Sequence, residues 1–100
     1  MARAKLTKSS GNVFRDVGFS AEEAVSLKIR ADLMIKLSKI IEARGLTQAA
    51  AAKLMGVTQP RISDLVRGKI ELFSIDTLVE MLSRAGATVQ VAVRTSKRAA

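Results

Sequence analysis

Hydrogen-bonding side chains are concentrated in the stretch from residue 58 to residue 69, and this is where chemistry is most readily placed. Three apolar residues there, Ile62, Leu65 and Val66, have helical spacing and are expected to point inward. The opposite face then presents donors and acceptors beside basic groups, which is what reading base edges in the major groove of DNA requires. The residues predicted on that outward face are Gln59, Arg61, Ser63, Asp64 and Arg67.

Two short helices are expected to position these side chains. A helix over 48–55 is predicted because Thr47 can cap its start and Gly56 can end it. A second helix over 59–66 follows after a tight turn, with Thr58 as its capping residue. Small alanines in the first helix allow the two helices to cross closely.

Longer helices are predicted on either side of this pair. Ser20 and Glu23 have the spacing of a capping box, which indicates a long amphipathic helix running to about Ala43. Ser74 can cap another helix over 75–84. The sequence therefore predicts a mainly α domain of four to five helices.

The apolar residues near the end of the sequence alternate instead. Val89, Val91 and Val93 would share one face of a strand over 87–94. A lone strand after four helices would leave its backbone groups unpaired, so we expect it to pair antiparallel with a second copy across a two-fold axis. Two alternatives remain open: the strand packs alone on the helices, or it pairs with residues 13–19.

The composition limits the functions to be considered. One hundred residues are enough for one compact domain, and 48% are apolar, with 3% aromatic, so the core must be largely aliphatic. There is no Cys and no His, which removes thiolate metal sites and the usual general base. We therefore expect no enzyme activity, metal, cofactor or small-molecule substrate. No signal peptide or long apolar run is evident, so we expect a cytoplasmic protein that does not enter a membrane.

The net charge of +8 is unevenly distributed. Basic residues without acids occupy the first fifteen positions and the last seven, and the span 44–69 holds five basic residues against Asp64 alone. This pattern favours a polyanion as partner, while the alternative is a solubilising surface with basic ends. The predicted organisation is a flexible basic arm (1–12), a helical domain (13–86), a strand (87–94) and a basic tail (95–100).

The run LTQAAAAKLMGVTQPRISDLVRGK at 46–69 resembles the helix-turn-helix of the XRE/Cro-like, or phage-repressor type, family. Residues 12–94 are more loosely similar to a subgroup allied to HigA-like antitoxins, with an Asn-Val-Phe entry, a Phe-Ser-Ile helix start and a Val-rich end. The resemblance implies a lambda-repressor-like fold. The motif positions that match are Leu46, Gln48, Ala52, Gly56, Thr58, Gln59, Ile62, Ser63, Gly68 and Lys69.

The resemblance also implies roles for individual residues. Gln48 is similar to the family's phosphate-contacting glutamine and Gln59 to its principal base reader, which can bond adenine bidentately. Thr58 would touch a thymine methyl or a phosphate, and Arg67 and Lys69 would bind phosphates.

Two further positions keep alternatives open. Arg61 would reach guanine or the DNA backbone. Asp64 would accept from cytosine or pair with Arg61 or Arg67, and the intrahelical pair with Arg67 is favoured.

These observations predict a transcriptional repressor that binds an inverted-repeat operator in double-stranded DNA as a homodimer. An alternative from the resemblance is an antitoxin that also neutralises a cognate mRNA-cleaving toxin and represses its own operon. The net positive charge of this chain argues against the antitoxin alternative, because such toxins are usually basic themselves and would favour an acidic partner.

Overall fold

The structure, a computed structural model, describes residues 12–95 of the chain. Within this range the elements are α1 (Val13–Asp16), α2 (Ala21–Ala43), α3 (Gln48–Met55), α4 (Gln59–Val66) and α5 (Ile75–Arg84), with a 3-10 turn (Ile70–Leu72) between α4 and α5. The four helices predicted from caps and apolar spacing are confirmed. Most of the predicted basic arm and basic tail lies outside the described residues.

The long helix α2 begins at the predicted capping box. The Ser20 hydroxyl accepts from the Glu23 backbone N–H at 3.2 Å, and the Glu23 carboxylate accepts from the Ser20 backbone N–H at 3.3 Å. The helix ends before Gly45, which has the left-handed φ of +61°. Although α2 spans 23 residues, no helix of the described chain is long and apolar enough to cross a membrane.

One aliphatic core joins α2, α3, α4 and α5. Phe73 is its one aromatic member among the described residues, and the flexible side chains of the methionines at 34, 55 and 81 fill the space between the helices. Val66, predicted to point inward, is instead 44% exposed at the end of α4. The buried members are Met34, Leu37, Ile41, Ala51, Ala52, Met55, Ile62, Leu65, Phe73, Leu78, Met81, Leu82 and Ala85.

The first helix was not predicted from the sequence. Asn12 caps α1 by accepting from the backbone N–H of Phe14 at 3.0 Å and of Arg15 at 3.4 Å. The side-chain amide of Asn12 also donates to the Ala24 carbonyl at 2.9 Å, so the N-terminus of α1 is hydrogen-bonded directly to α2.

The C-terminal β-strand, and with it strand pairing across a homodimer, was wrong. Residues 87–95 have no regular secondary structure. Val89 packs partly on the core, but Val91 and Val93 are 82% and 89% exposed. The alternative of pairing with 13–19 is also wrong, because α1 occupies 13–16 and residues 17–19 are not in a strand. With no strand edge beside them among the described residues, the backbone groups here have no ladder to join.

Candidate nucleic-acid interface

The geometry of the site begins with the turn between α3 and α4. Gly56 ends α3 with a φ of +71°, and the next backbone N–H, of Val57, donates to the Ala52 carbonyl at 3.0 Å. On the inner side Ala51, Ala52 and Met55 of α3 are buried with Ile62 and Leu65 of α4. The pair of helices is thus fixed to one core, and their other faces are left to solvent.

The start of α4 presents its polar residues outward, as predicted. Thr58 and Gln59 are exposed, and the Gln59 side chain has no hydrogen-bond partner within residues 12–95. Thr58 occupies the N-cap position, but its hydroxyl makes no capping hydrogen bond. Both side chains therefore keep their donors and acceptors available to an external ligand.

Ser63 and Asp64 lie further along α4 and are half-buried. The predicted ion pair between Asp64 and Arg67 or Arg61 is not seen in the described part of the chain. An ion pair does form on α2, between Lys28 and Asp32 at 3.0 Å. The Asp64 backbone carbonyl accepts from the Lys69 N–H at 3.0 Å, which shapes the end of α4.

The start of α3 adds a second outward group. Thr47 caps α3 by accepting from the Ala50 N–H at 3.0 Å, and Gln48 is exposed in the first turn. A glutamine here lies where the helix dipole gives a partial positive charge.

The basic residues of 44–69 divide into two kinds. Lys53 and Arg67 are exposed, and Lys69 is half-buried. The side chains of all three have no hydrogen-bond partner among the described residues. Arg44 instead donates to the Ala85 carbonyl at 2.8 Å and so joins the end of α2 to the end of α5. The charge count in the sequence could not separate these cases, since they depend on which carbonyls lie nearby.

Arg61 also has partners inside the protein. It is half-buried, its Nη1 donates to the Leu72 carbonyl at 3.1 Å, and its guanidinium carbon lies 5.2 Å from the centre of the Phe73 ring. Phe73 lies twelve positions away, and the sequence carried no signal that this arginine would contact it.

No group of three or more carboxylates that could hold a metal ion forms among residues 12–95. The surface assembled by α3 and α4 presents amides, hydroxyls and cations, with the half-buried Asp64 beside them. Two short helices packed at a tight glycine turn, with such a face outward, define a helix-turn-helix domain.

Comparison with known proteins agrees with this class. Residues 13–94 match a family model described as a helix-turn-helix domain. A solved structure of a protein assigned to the XRE family of transcriptional regulators is 31% identical, covering 78% of this chain and 88% of that chain with a TM-score of 0.70. No curated protein matches. The chain therefore belongs to the helix-turn-helix family of the XRE-like kind, whereas the finer resemblance to HigA-like antitoxins stays a prediction.

Proposed function

We propose that this protein is a DNA-binding transcriptional regulator, acting as a repressor, that inserts the outward face of α4 into the major groove. One observation carries the proposal: Gln59 stands exposed in the first turn of α4 with its amide unsatisfied within residues 12–95. An amide at this place can make the two hydrogen bonds that adenine offers on its major-groove edge. Thr58, Ser63 and Asp64 are the other proposed contacts near the bases.

Contacts to the DNA backbone are proposed for a separate set. Gln48 at the start of α3 would bind a phosphate with the help of neighbouring backbone N–H groups. Arg67 and Lys69 would neutralise phosphates after α4. Such contacts set affinity and register, while the face of α4 sets sequence preference.

The proposal is tested by comparing two glutamine substitutions. An operator is first selected from random duplexes, and binding is measured by fluorescence anisotropy at fixed salt. Gln59→Ala is expected to weaken binding by about 1–3 kcal/mol and to relax preference at one base position. The control, Gln90→Ala, removes another exposed glutamine and should leave affinity unchanged. Unchanged operator affinity in Gln59→Ala would rule out the proposed base reader.

We further propose that the regulator is a homodimer on an inverted repeat, with α4 of each subunit about 34 Å apart, one turn of DNA. The support is the exposure of Val91 and Val93, at 82% and 89%, on a segment whose Val89 already packs on the core. Exposed valines of this kind are suited to side-chain contacts with a second copy.

The oligomeric state is measured by light scattering after gel filtration. Val91→Asp with Val93→Asp should convert the dimer to monomer and weaken binding to a full operator more than to a half-site. Val17→Asp, at a valine that is 67% exposed, is the matched control and should leave the dimer intact. A wild-type monomer bound to DNA would refute the dimer. The antitoxin alternative rests on the resemblance alone.

A further inference from the structure

The connection from α4 to α5 is held by two arginines from different helices. From α4, Arg61 donates to the Leu72 carbonyl at 3.1 Å and covers the Phe73 ring at 5.2 Å. From α2, the Nη1 of Arg30 lies 3.4 Å from the Phe73 carbonyl oxygen and 3.5 Å from that of Ile70, and donates to both. We call Arg30, Arg61 and Phe73 together the Phe73 clamp.

Phe73 is the rigid member of the Phe73 clamp. Its side chain is 2% exposed and belongs to the core, so neither its ring nor its backbone can shift freely. Arg61 binds the ring and the preceding carbonyl, while Arg30 binds the carbonyl of Phe73 itself. The middle of α4 is therefore linked through Phe73 to α2, in addition to the apolar contacts of Ile62 and Leu65.

We infer that Arg61 is a positioning residue, which fixes the orientation of α4 through the Phe73 clamp instead of contacting base or phosphate. This rests on the proposed function, and it gives Arg61 a role different from the exposed Gln59 at the start of α4 and the exposed Arg67 just after its end. An arginine that reached DNA would have to leave both the aromatic ring and the Leu72 carbonyl. A polar contact held within the protein is a means of pre-organising neighbouring reading groups.

Salt dependence separates positioning from phosphate contact. Arg61→Met keeps an unbranched apolar side chain at this position but removes the guanidinium over Phe73 and the hydrogen bond to Leu72. We expect roughly two- to fivefold weaker DNA binding, the range of a partly exposed cation–π contact, with an unchanged slope of log K against log salt. Arg67→Met is the matched control. Because it removes a proposed phosphate contact, it should reduce the magnitude of that slope by about one. A slope lowered by about one in Arg61→Met, full affinity, or relaxed preference at one base position would overturn the positioning role.

The coupling to Phe73 is tested by a double-mutant cycle. If Arg61 acts through the ring, Arg61→Met combined with Phe73→Leu should weaken DNA binding no more than the larger single change. Additive losses would overturn the inference. Because Phe73→Leu alters the core, Arg30→Met provides a second route and should likewise lower affinity without changing the salt slope. Full affinity in Arg30→Met would remove the link to α2.

A measurement without DNA separates this inference from the proposed function. In the free protein, the NMR signal of the Arg61 Nε proton, next to the guanidinium carbon that lies 5.2 Å from the ring centre, should be shifted upfield by the Phe73 ring and return in Phe73→Leu. Unshifted signals in the wild type would overturn the Phe73 clamp. If the clamp is seen while no duplex is selected, or while Gln59→Ala leaves operator affinity unchanged, the proposed function fails and the clamp stands as a structural contact.

Discussion

Replacing Gly56 with alanine probes how the turn between α3 and α4 is built. Gly56 has a φ of +71°, where a residue with a Cβ is destabilised by about 1–2 kcal/mol. A Cβ here would also come within 2.9 Å of the Cδ and Nε atoms of Arg84 on α5. Because the Arg84 side chain is exposed and flexible, it can move aside, and we assign its displacement about 0.5–1 kcal/mol. The total is about 2 kcal/mol.

The control for this prediction is Gly45→Ala. Gly45 also ends a helix with a left-handed φ, +61°, but no atom lies within 4 Å of a Cβ built there. It should therefore lose only the backbone part. For a domain of this size, about 1 kcal/mol corresponds to roughly 4–8 °C in Tm, so Gly56→Ala should melt about 8–16 °C below the wild type, followed by circular dichroism.

A third variant isolates the contact with α5. Adding Arg84→Ala to Gly56→Ala removes the clash and should bring the loss of stability close to that of Gly45→Ala, after correction for Arg84→Ala alone. A Gly56→Ala protein as stable as the wild type would refute the backbone strain assigned to position 56. Equal losses at positions 45 and 56 would show that Arg84 does not lie over the turn.

Three further predictions concern other contacts. Ala51→Leu, at a fully buried position of α3, should lower the free energy of unfolding by about 1–3 kcal/mol through overpacking. Ala50→Leu, at the exposed position one residue earlier, should leave the urea midpoint near the wild-type value. Equal midpoints for the two variants would contradict the packing. Asn12→Ala should cost about 1–2 kcal/mol in urea unfolding, because it removes the α1 cap and the bond to Ala24; an unchanged midpoint would show that α1 adds nothing. Lys69→Ala should weaken binding to all duplexes alike and reduce the magnitude of the salt slope by about one. Lys36→Ala, at an exposed lysine of α2, should change neither quantity. A change confined to the selected operator would exclude a phosphate contact.

The helices could be predicted from the sequence because their signals are local. The capping box at Ser20 and Glu23, the caps at Thr47 and Ser74, and the glycines beyond the helices lie within a few residues of the bonds they make. The outward face of α4 was predicted from the helical spacing of its apolar residues. Ile62 and Leu65 are indeed buried, and Gln59 is exposed.

Features that depend on distant neighbours were not predicted. Alternating valines indicate a strand only if a partner edge exists, and residues 87–95 have none among the described residues. The capping bonds of Asn12 are local, but the residues before α1 were interpreted as an arm, and its bond to Ala24 spans twelve positions. Arg30 and Phe73 are separated by 43 positions, so the contacts of the Phe73 clamp became visible only with the tertiary structure.

The buried alanines of α3 have an evolutionary consequence for this domain. Ala51 and Ala52 lie on the interior side of α3. Gln48 lies on the solvent side of the same helix, and Gln59 lies on the solvent side of α4. Exchange of the exposed Gln48 and Gln59 therefore leaves the separation of the two helices unaltered. Under the proposed function, variants with new sequence preferences can arise by substitutions at such exposed positions, without any compensating change in the interior.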